Sequence, residues 1–176
     1  MSLFTKKSVL IVALFTCALI GIQGCGDGNT ISGPDFSSVP PAWDANDADS
    51  TISMSNGLTI HILEEGSKVL PPVTVRDQVS LRYTGRTEDG TVFTSSYANG
   101  NTSPATFSNL TPTAIGNTPS LIEGFRLGLL GMYEGEQRKI IIPPSLGYGD
   151  SRRGTNGFDL RNETLIYDVE LVRIAG

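Results

Sequence analysis

From Gly57 onward, apolar and polar residues alternate along the chain. Leu58, Ile60 and Ile62 are interleaved with Thr59, His61 and Leu63, and Val79, Leu81 and Tyr83 with Ser80, Arg82 and Thr84. A side-chain period of two puts alternate residues on opposite faces of a strand, so both stretches predict strands with one buried face. Glu88-Asp89-Gly90 supplies a turn, with Gly90 tolerant of positive φ, and Thr91-Val92-Phe93 reads as the returning arm of a hairpin. Residues 94–119 are rich in Ser, Thr, Asn, Gly and Pro, and only a short strand over 105–108 is expected there. The period then changes: Leu121, Ile122, Phe125 and Leu129 recur at spacings of three and four, which predicts a short helix opening at Pro119-Ser120 and ending near Gly131. A β-branched run over 138–142 is stopped by Pro143-Pro144. A long alternating strand over 164–174 places Leu165, Tyr167, Val169 and Leu171 on one face. The pattern predicts an α+β domain over 57–176, an antiparallel sheet of five to six strands whose apolar face wraps around one short helix.

Before Gly57 no such period exists. Residues 1–24 carry Lys6 and Lys7, then the apolar run 8–22, then Gln23-Gly24 ahead of Cys25, the layout of an export signal. The run is shorter than the roughly 20 residues a spanning helix needs, and polar residues follow it at once. Ile22-Gln23-Gly24-Cys25 resembles a bacterial lipobox, which implies cleavage before Cys25, acylation of its thiol and membrane attachment on the extracytoplasmic side. Cys17 leaves with the signal, so no disulfide is expected. Residues 25–56 hold Asp27, Asp35, Asp44, Asp47 and Asp49 without neighbouring cations, broken by Pro34, Pro40 and Pro41. They read as a flexible acidic linker in which Phe36 and Trp43 are loosely packed.

Charge and composition narrow the chemistry. Thirteen Lys+Arg against 18 Asp+Glu give a formal net charge of −5, the wrong sign for neutralising phosphates, so no nucleic-acid partner is expected. One histidine, His61, and two cysteines leave no ligand set for a Cys/His zinc site and no Cys-His dyad; no metal or cofactor is implied. Glu64, Glu65, Glu134 and Glu136 read as solvated surface. Gly124, Gly128, Gly131 and Gly135 lie in and after the helix, where they cannot cradle a phosphate. Asn101, Asn109 and Asn162 head sequons read as chance matches in polar loops.

What remains is a set of aromatic and aliphatic residues in a recurrent order. Tyr83-Thr-Gly-Arg-Thr-Glu-Asp-Gly-Thr-Val-Phe93, Leu121-Ile-Glu-Gly-Phe125, Leu129-Leu-Gly-Met-Tyr-Glu-Gly-Glu-Gln-Arg-Lys-Ile140, Ile142-Pro-Pro-Ser-Leu-Gly-Tyr-Gly149 and Thr164-Leu-Ile-Tyr-Asp-Val-Glu-Leu171 follow one another along the domain. Together they resemble the FK506-binding-protein (FKBP-type) peptidyl-prolyl cis-trans isomerases. The resemblance implies a half-barrel sheet wrapped on a short helix, and an apolar pocket with Phe125 as floor and Tyr83, Phe93, Leu121, Ile122 and Tyr167 as walls. Phe107 and Phe158 complete the substrate contacts. It also implies that Tyr148 hydrogen-bonds a substrate carbonyl and the Ile122 backbone N–H a second one, with Tyr83, Phe93 and Thr94 beside the reacting bond.

The sequence departs from the family at five places. Thr94 stands where Asp is usual, Phe125 where Trp is usual, and Ala105 where an aromatic is usual. Asp159-Leu-Arg-Asn162 replaces an Ile-Pro-Pro-Asn flap, and the stretch from Phe107 to Leu121 is longer than usual. The implied partners are proline-containing unfolded or exported polypeptides and FK506-like macrolides, bound by a monomer attached to the membrane through lipid on Cys25. The alternative reading is a prolyl-peptide-binding or chaperone module with little turnover.

Overall fold

The computed structural model describes residues 33–115, 120–152 and 157–175. Among the described residues the sheet is formed by β1 (Ser50–Ser53), β2 (Thr59–Glu64), β3 (Gln78–Thr87), β4 (Val92–Ser95), β5 (Ala105–Phe107), β6 (Gln137–Ile142) and β7 (Leu165–Ala175), with one α-helix, α1 (Glu123–Leu129). Every pairing is antiparallel, in the order β1-β2-β6-β7-β3-β4, and β5 shares the outer edge of β3 with β4. The antiparallel sheet on one helix is the expected architecture; the strand count is seven because β1, unforeseen, extends the β2 edge.

Register fixes which residues share a face. Leu81 lies opposite Leu171, Tyr83 opposite Val169, and Ile140 opposite Tyr167, so the alternating apolar sets of β3, β6 and β7 stack on one side. Leu165, Val169 and Leu171 on β7, Val79 and Leu81 on β3 and Ile140 and Ile142 on β6 are fully buried there. Onto this face packs α1. Its axis comes unusually close to β6 because Gly124 and Gly128, four residues apart on one side of the helix, have no β-carbon. A methyl at Gly128 would sit 2.6 Å from Ile140 Cδ1, and one at Gly124 would overlap Ile142. The glycines set aside as a phosphate cradle thus act in packing.

The helix is shorter than its periodicity. Leu121 and Ile122 supply the apolar stripe, yet Ile122 is extended (ψ 143°) and has no capping side chain, so α1 begins at Glu123 and ends at Leu129. Its C-terminal carbonyls are satisfied by Arg138, whose Nη1 donates to Gly128 O (2.8 Å) and Leu130 O (3.1 Å) while Nε donates to Glu136 (2.5 Å). Glu136 is therefore buried at 3% exposure, not solvated as its sequence position implied: it pairs Arg138 and accepts from the Tyr133 N–H. Glu134 likewise accepts from the Ile174 N–H (2.7 Å). In the long loop after β5, buried Asn109 holds the chain with bonds to Thr111 and Thr113, which leaves its amide no room for a glycan.

The largest departure lies on the opposite face. Residues 33–56, expected as flexible linker, belong to the compact unit that starts at Ser32. Outward-facing Arg82, Thr84 and Arg86 of β3 stand beside Glu170 and Asp168 of β7 and Lys139 of β6. Asp168 receives Arg86 Nη1 (2.7 Å) and Lys139 Nζ (2.6 Å), all three side chains being under 10% exposed. The chain before β1 covers them as a strap. The Trp43 N–H donates to Asp168 Oδ2 (3.2 Å), Pro40 O accepts from Arg86 Nη2 (2.5 Å), and Asp35 and Asn99 exchange two bonds. Backbone groups bearing hydrogen bonds to charged partners hold this segment, and hydropathy does not register them. The export signal, Cys17 and Cys25 lie outside the described residues.

Candidate functional site

Strands β3, β4, β5 and β7, helix α1 and the segments just before α1 and after β6 meet in a cleft of about 360 Å³, lined by Tyr83, Thr94, Phe107, Ser120, Leu121, Ile122, Phe125, Tyr148 and Tyr167. The sheet places Tyr83 and Tyr167 on adjacent strands, because Val169, the partner of Tyr83, is two residues from Tyr167. From the helix side comes Phe125, 3% exposed, stacked at 4.5 Å between ring centroids on Tyr167 and at 5.9 and 6.0 Å on Tyr83 and Phe107. These tilted and edge-on contacts make a rigid aromatic floor. Gly85 makes the close approach on β3 feasible: a methyl there would lie 2.7–2.8 Å from Thr94, Phe93 and Tyr167.

The polar groups at the cleft are neutral hydroxyls. Tyr83 Oη and Thr94 Oγ1 are 3.5 Å apart. Tyr148 follows the short 3-10 turn Pro144–Leu146, and Gly149 N–H closes that turn on Pro144 O (2.8 Å). Among the described residues its hydroxyl has no hydrogen-bond partner. Burial, and then the neighbouring Tyr83, push the Tyr148 phenol above the ordinary tyrosine value. Burial holds Tyr167 far higher still. Among the described residues no charged side chain lines the cleft, and those that do line it offer apolar surface and O–H donors.

Of the residues expected at the site, Tyr83, Thr94, Phe107, Leu121, Ile122, Phe125, Tyr148 and Tyr167 converge on this cleft. Phe93 does not line it. Its ring lies edge-on to Tyr167 at 5.6 Å and comes up against Gly85, where a β-carbon would stand 2.8 Å from it. Phe158 is also absent from the lining: it lies in the 3-10 turn Phe158–Leu160, under the Arg161 guanidinium at 4.0 Å. Ser120 was not foreseen; a serine in a polar loop carries no periodic signal, and only its place next to Leu121 could have marked it.

The comparisons with known proteins agree with this geometry. Residues 71–172 match the family of FKBP-type peptidyl-prolyl cis-trans isomerases. The chain is 43% identical over 98 residues to the mouse (Mus musculus) peptidyl-prolyl cis-trans isomerase FKBP2, a match covering 56% of this chain and 62% of that protein. It is 36% identical over 122 residues to the isomerase Mip of Coxiella burnetii, covering 69% of this chain and 46% of Mip. The chain thus spans less than two thirds of the length of either relative. Among solved structures, FkpA from Escherichia coli superposes with a TM-score of 0.56 at 29% identity, covering 72% of this chain and 52% of FkpA. The strap over 33–49 and strands β1 and β2 precede the residues matched by the family model. With the motifs in order, the sheet wrapped on α1 and the aromatic cleft in place, the chain belongs to the FKBP-type peptidyl-prolyl cis-trans isomerase family.

Proposed function

We propose that the cleft takes up the prolyl ring of an Xaa-Pro segment and catalyses its cis–trans isomerisation, the clients being exported polypeptides. The observation that carries this reading is an aromatic-floored cavity of about 360 Å³ edged by neutral hydroxyl donors, with no charged side chain among its described lining residues. Rotation about the peptide bond is opposed by a barrier of about 18–20 kcal/mol, because conjugation must be broken. The twisted amide has less charge separation than the planar one, so a dry apolar floor of Phe125, Tyr167 and Tyr83 favours it over the ground state. Tyr148 donates to a carbonyl flanking the proline and the Ile122 N–H to another, so that one side of the bond is held while the other turns. No covalent step is required.

The test is the isomerisation rate of a panel of Xaa-Pro peptides with the full chain and with Tyr148→Phe. Rate enhancement by wild type, reduced about three- to tenfold in the variant, is the expected result, corresponding to the loss of one neutral hydrogen bond. A folded protein that binds these peptides or an FK506-like macrolide without accelerating them would instead support a prolyl-binding module. That second reading draws on Thr94, whose uncharged hydroxyl stands 3.5 Å from Tyr83 Oη. Export and lipid attachment rest on the pattern of residues 1–25: the mass of a lipidated Cys25, and release of Cys25→Ala from the membrane fraction, test them.

A further inference from the structure

Beyond the residues that line the cleft, the structure assigns to Gly157 the task of fixing the Tyr148 ring so that its hydroxyl faces the bound peptide: Gly157 is a positioning residue. The inference rests on the isomerase reading for its consequence, but its geometry stands alone. Gly157 has φ +82°, a conformation L side chains rarely adopt, and opens the 3-10 turn Phe158–Leu160, with the Leu160 N–H bonded back to its carbonyl (3.0 Å). A β-carbon built there would fall onto the face of Tyr148, overlapping Cδ1 and standing 2.6 Å from both Cε1 and Cγ. The bare backbone of Gly157 therefore packs directly against the ring.

The contact with Cγ decides what the ring can do. Rotation about Cβ–Cγ leaves Cγ where it is, so turning the ring in place cannot relieve a methyl 2.6 Å from that atom. Either χ1 changes to another staggered well, which swings the hydroxyl out of the cleft, or the backbone moves. On the Tyr148 side the backbone is tied by bonds from the Ser151 N–H to Tyr148 O (2.8 Å) and from the Gly149 N–H to Pro144 O (2.8 Å). On the other side, the turn after Gly157 leads through Leu160, packed on the core, into β7. The ring is the part free to give way. Packing by Gly157 thus orients the ring through its carbon face, a constraint that does not depend on a hydrogen bond to the hydroxyl.

The experiment is a double-mutant cycle of Gly157→Ala and Tyr148→Phe in the full chain, reading kcat and KM separately on an Xaa-Pro peptide. Gly90→Ala serves as control: Gly90 has a similar φ of +88° but open space around its missing β-carbon, so it carries the backbone strain without the ring contact. We expect Gly157→Ala to lower kcat/KM about three- to tenfold, as Tyr148→Phe does, the double variant to lose no more than either alone, and Gly90→Ala to keep wild-type rates. Losses that multiply in the double variant, or a Gly157→Ala protein with wild-type rates, overturn the inference. A crystal structure of Gly157→Ala decides the placement independently of turnover. Tyr148 in a different χ1 well upholds it and an unmoved ring overturns it, whereas a folded wild type without rate enhancement counts only against the isomerase reading.

Discussion

Tyr148 is useful to the proposed reaction only as a neutral O–H donor, and its surroundings keep it neutral. An ordinary tyrosine ionises near pH 10. Burial, reinforced by Tyr83, moves the folded Tyr148 above that value. The proton is therefore retained throughout the neutral range and leaves only when the pH passes the raised folded value. His61, the chain's one histidine, bonds Thr51 on the β1–β2 hairpin and does not reach the cleft. The expected kcat/KM profile is accordingly flat from about pH 6 to about pH 10 and falls only beyond it, and Tyr148→Phe removes that fall together with part of the rate. A limb near neutrality would show that some other group takes part. Stability follows the same sign. Between the unfolded and the raised folded values the unfolded chain has released a proton that the folded chain still holds, so stability declines as pH rises through that window and is unaffected below it. At this scale much of the site was legible, since Tyr83, Phe125, Tyr148 and Tyr167 sit inside ordered motifs. Phe93 and Phe158 fall outside the cleft's lining: a motif gives a residue's neighbours in sequence, whereas the sheet register and the turn after Gly157 decide what a ring packs against.

Elements that bury apolar stripes were legible, and the one that buries charge was not. The alternation in β3 and β7 located the core face, and the same alternation put Arg82, Arg86, Asp168 and Glu170 on the other face, where solvent exposure was the natural reading. The strap over 33–49 changes that reading. It has Pro40, Pro41 and Trp43 in place of a periodic pattern and is held through the Pro40 carbonyl and the Trp43 N–H, groups that every residue or nearly every residue possesses. Its anchor is the triad Arg86–Asp168–Lys139, in which one buried carboxylate serves two buried cations. Removing that carboxylate strands both. Asp168→Ala is expected to lower unfolding free energy by about 3–5 kcal/mol, the usual cost of breaking a buried pair from one side, and to shift Trp43 emission to the red as the strap loses its hold. Chemical denaturation and the emission spectrum measure the two effects; a cost under about 1 kcal/mol would mean the triad is solvated in solution.

Both faces belong to the same strands, and this ties the cleft to the strap. β3 turns Tyr83 into the cleft and Arg82 and Arg86 toward the strap, and β7 does the same with Tyr167 inward and Asp168 and Glu170 outward. A sheet whose central pair contributes to both faces has no plane along which one face could unfold alone. Trp43, the only tryptophan, therefore reports on the whole unit from the side away from the cleft. A prolyl ligand that binds only the folded cleft stabilises the protein by mass action, about 2.7 kcal/mol at a hundred times its Kd. For a unit of this size that corresponds to a rise in Tm of about 5–10 °C. The rise is expected in full at Trp43 although the ligand does not touch it, coincident with the transition followed by tyrosine near-ultraviolet dichroism, and smaller for Tyr148→Phe at the same ligand concentration. Two separated transitions, or a ligand shift seen by the tyrosines and not by Trp43, would sink the claim that cleft and strap fold as one cooperative unit. The strap would then be an independently melting cover, even though it packs on the two strands that carry the cleft.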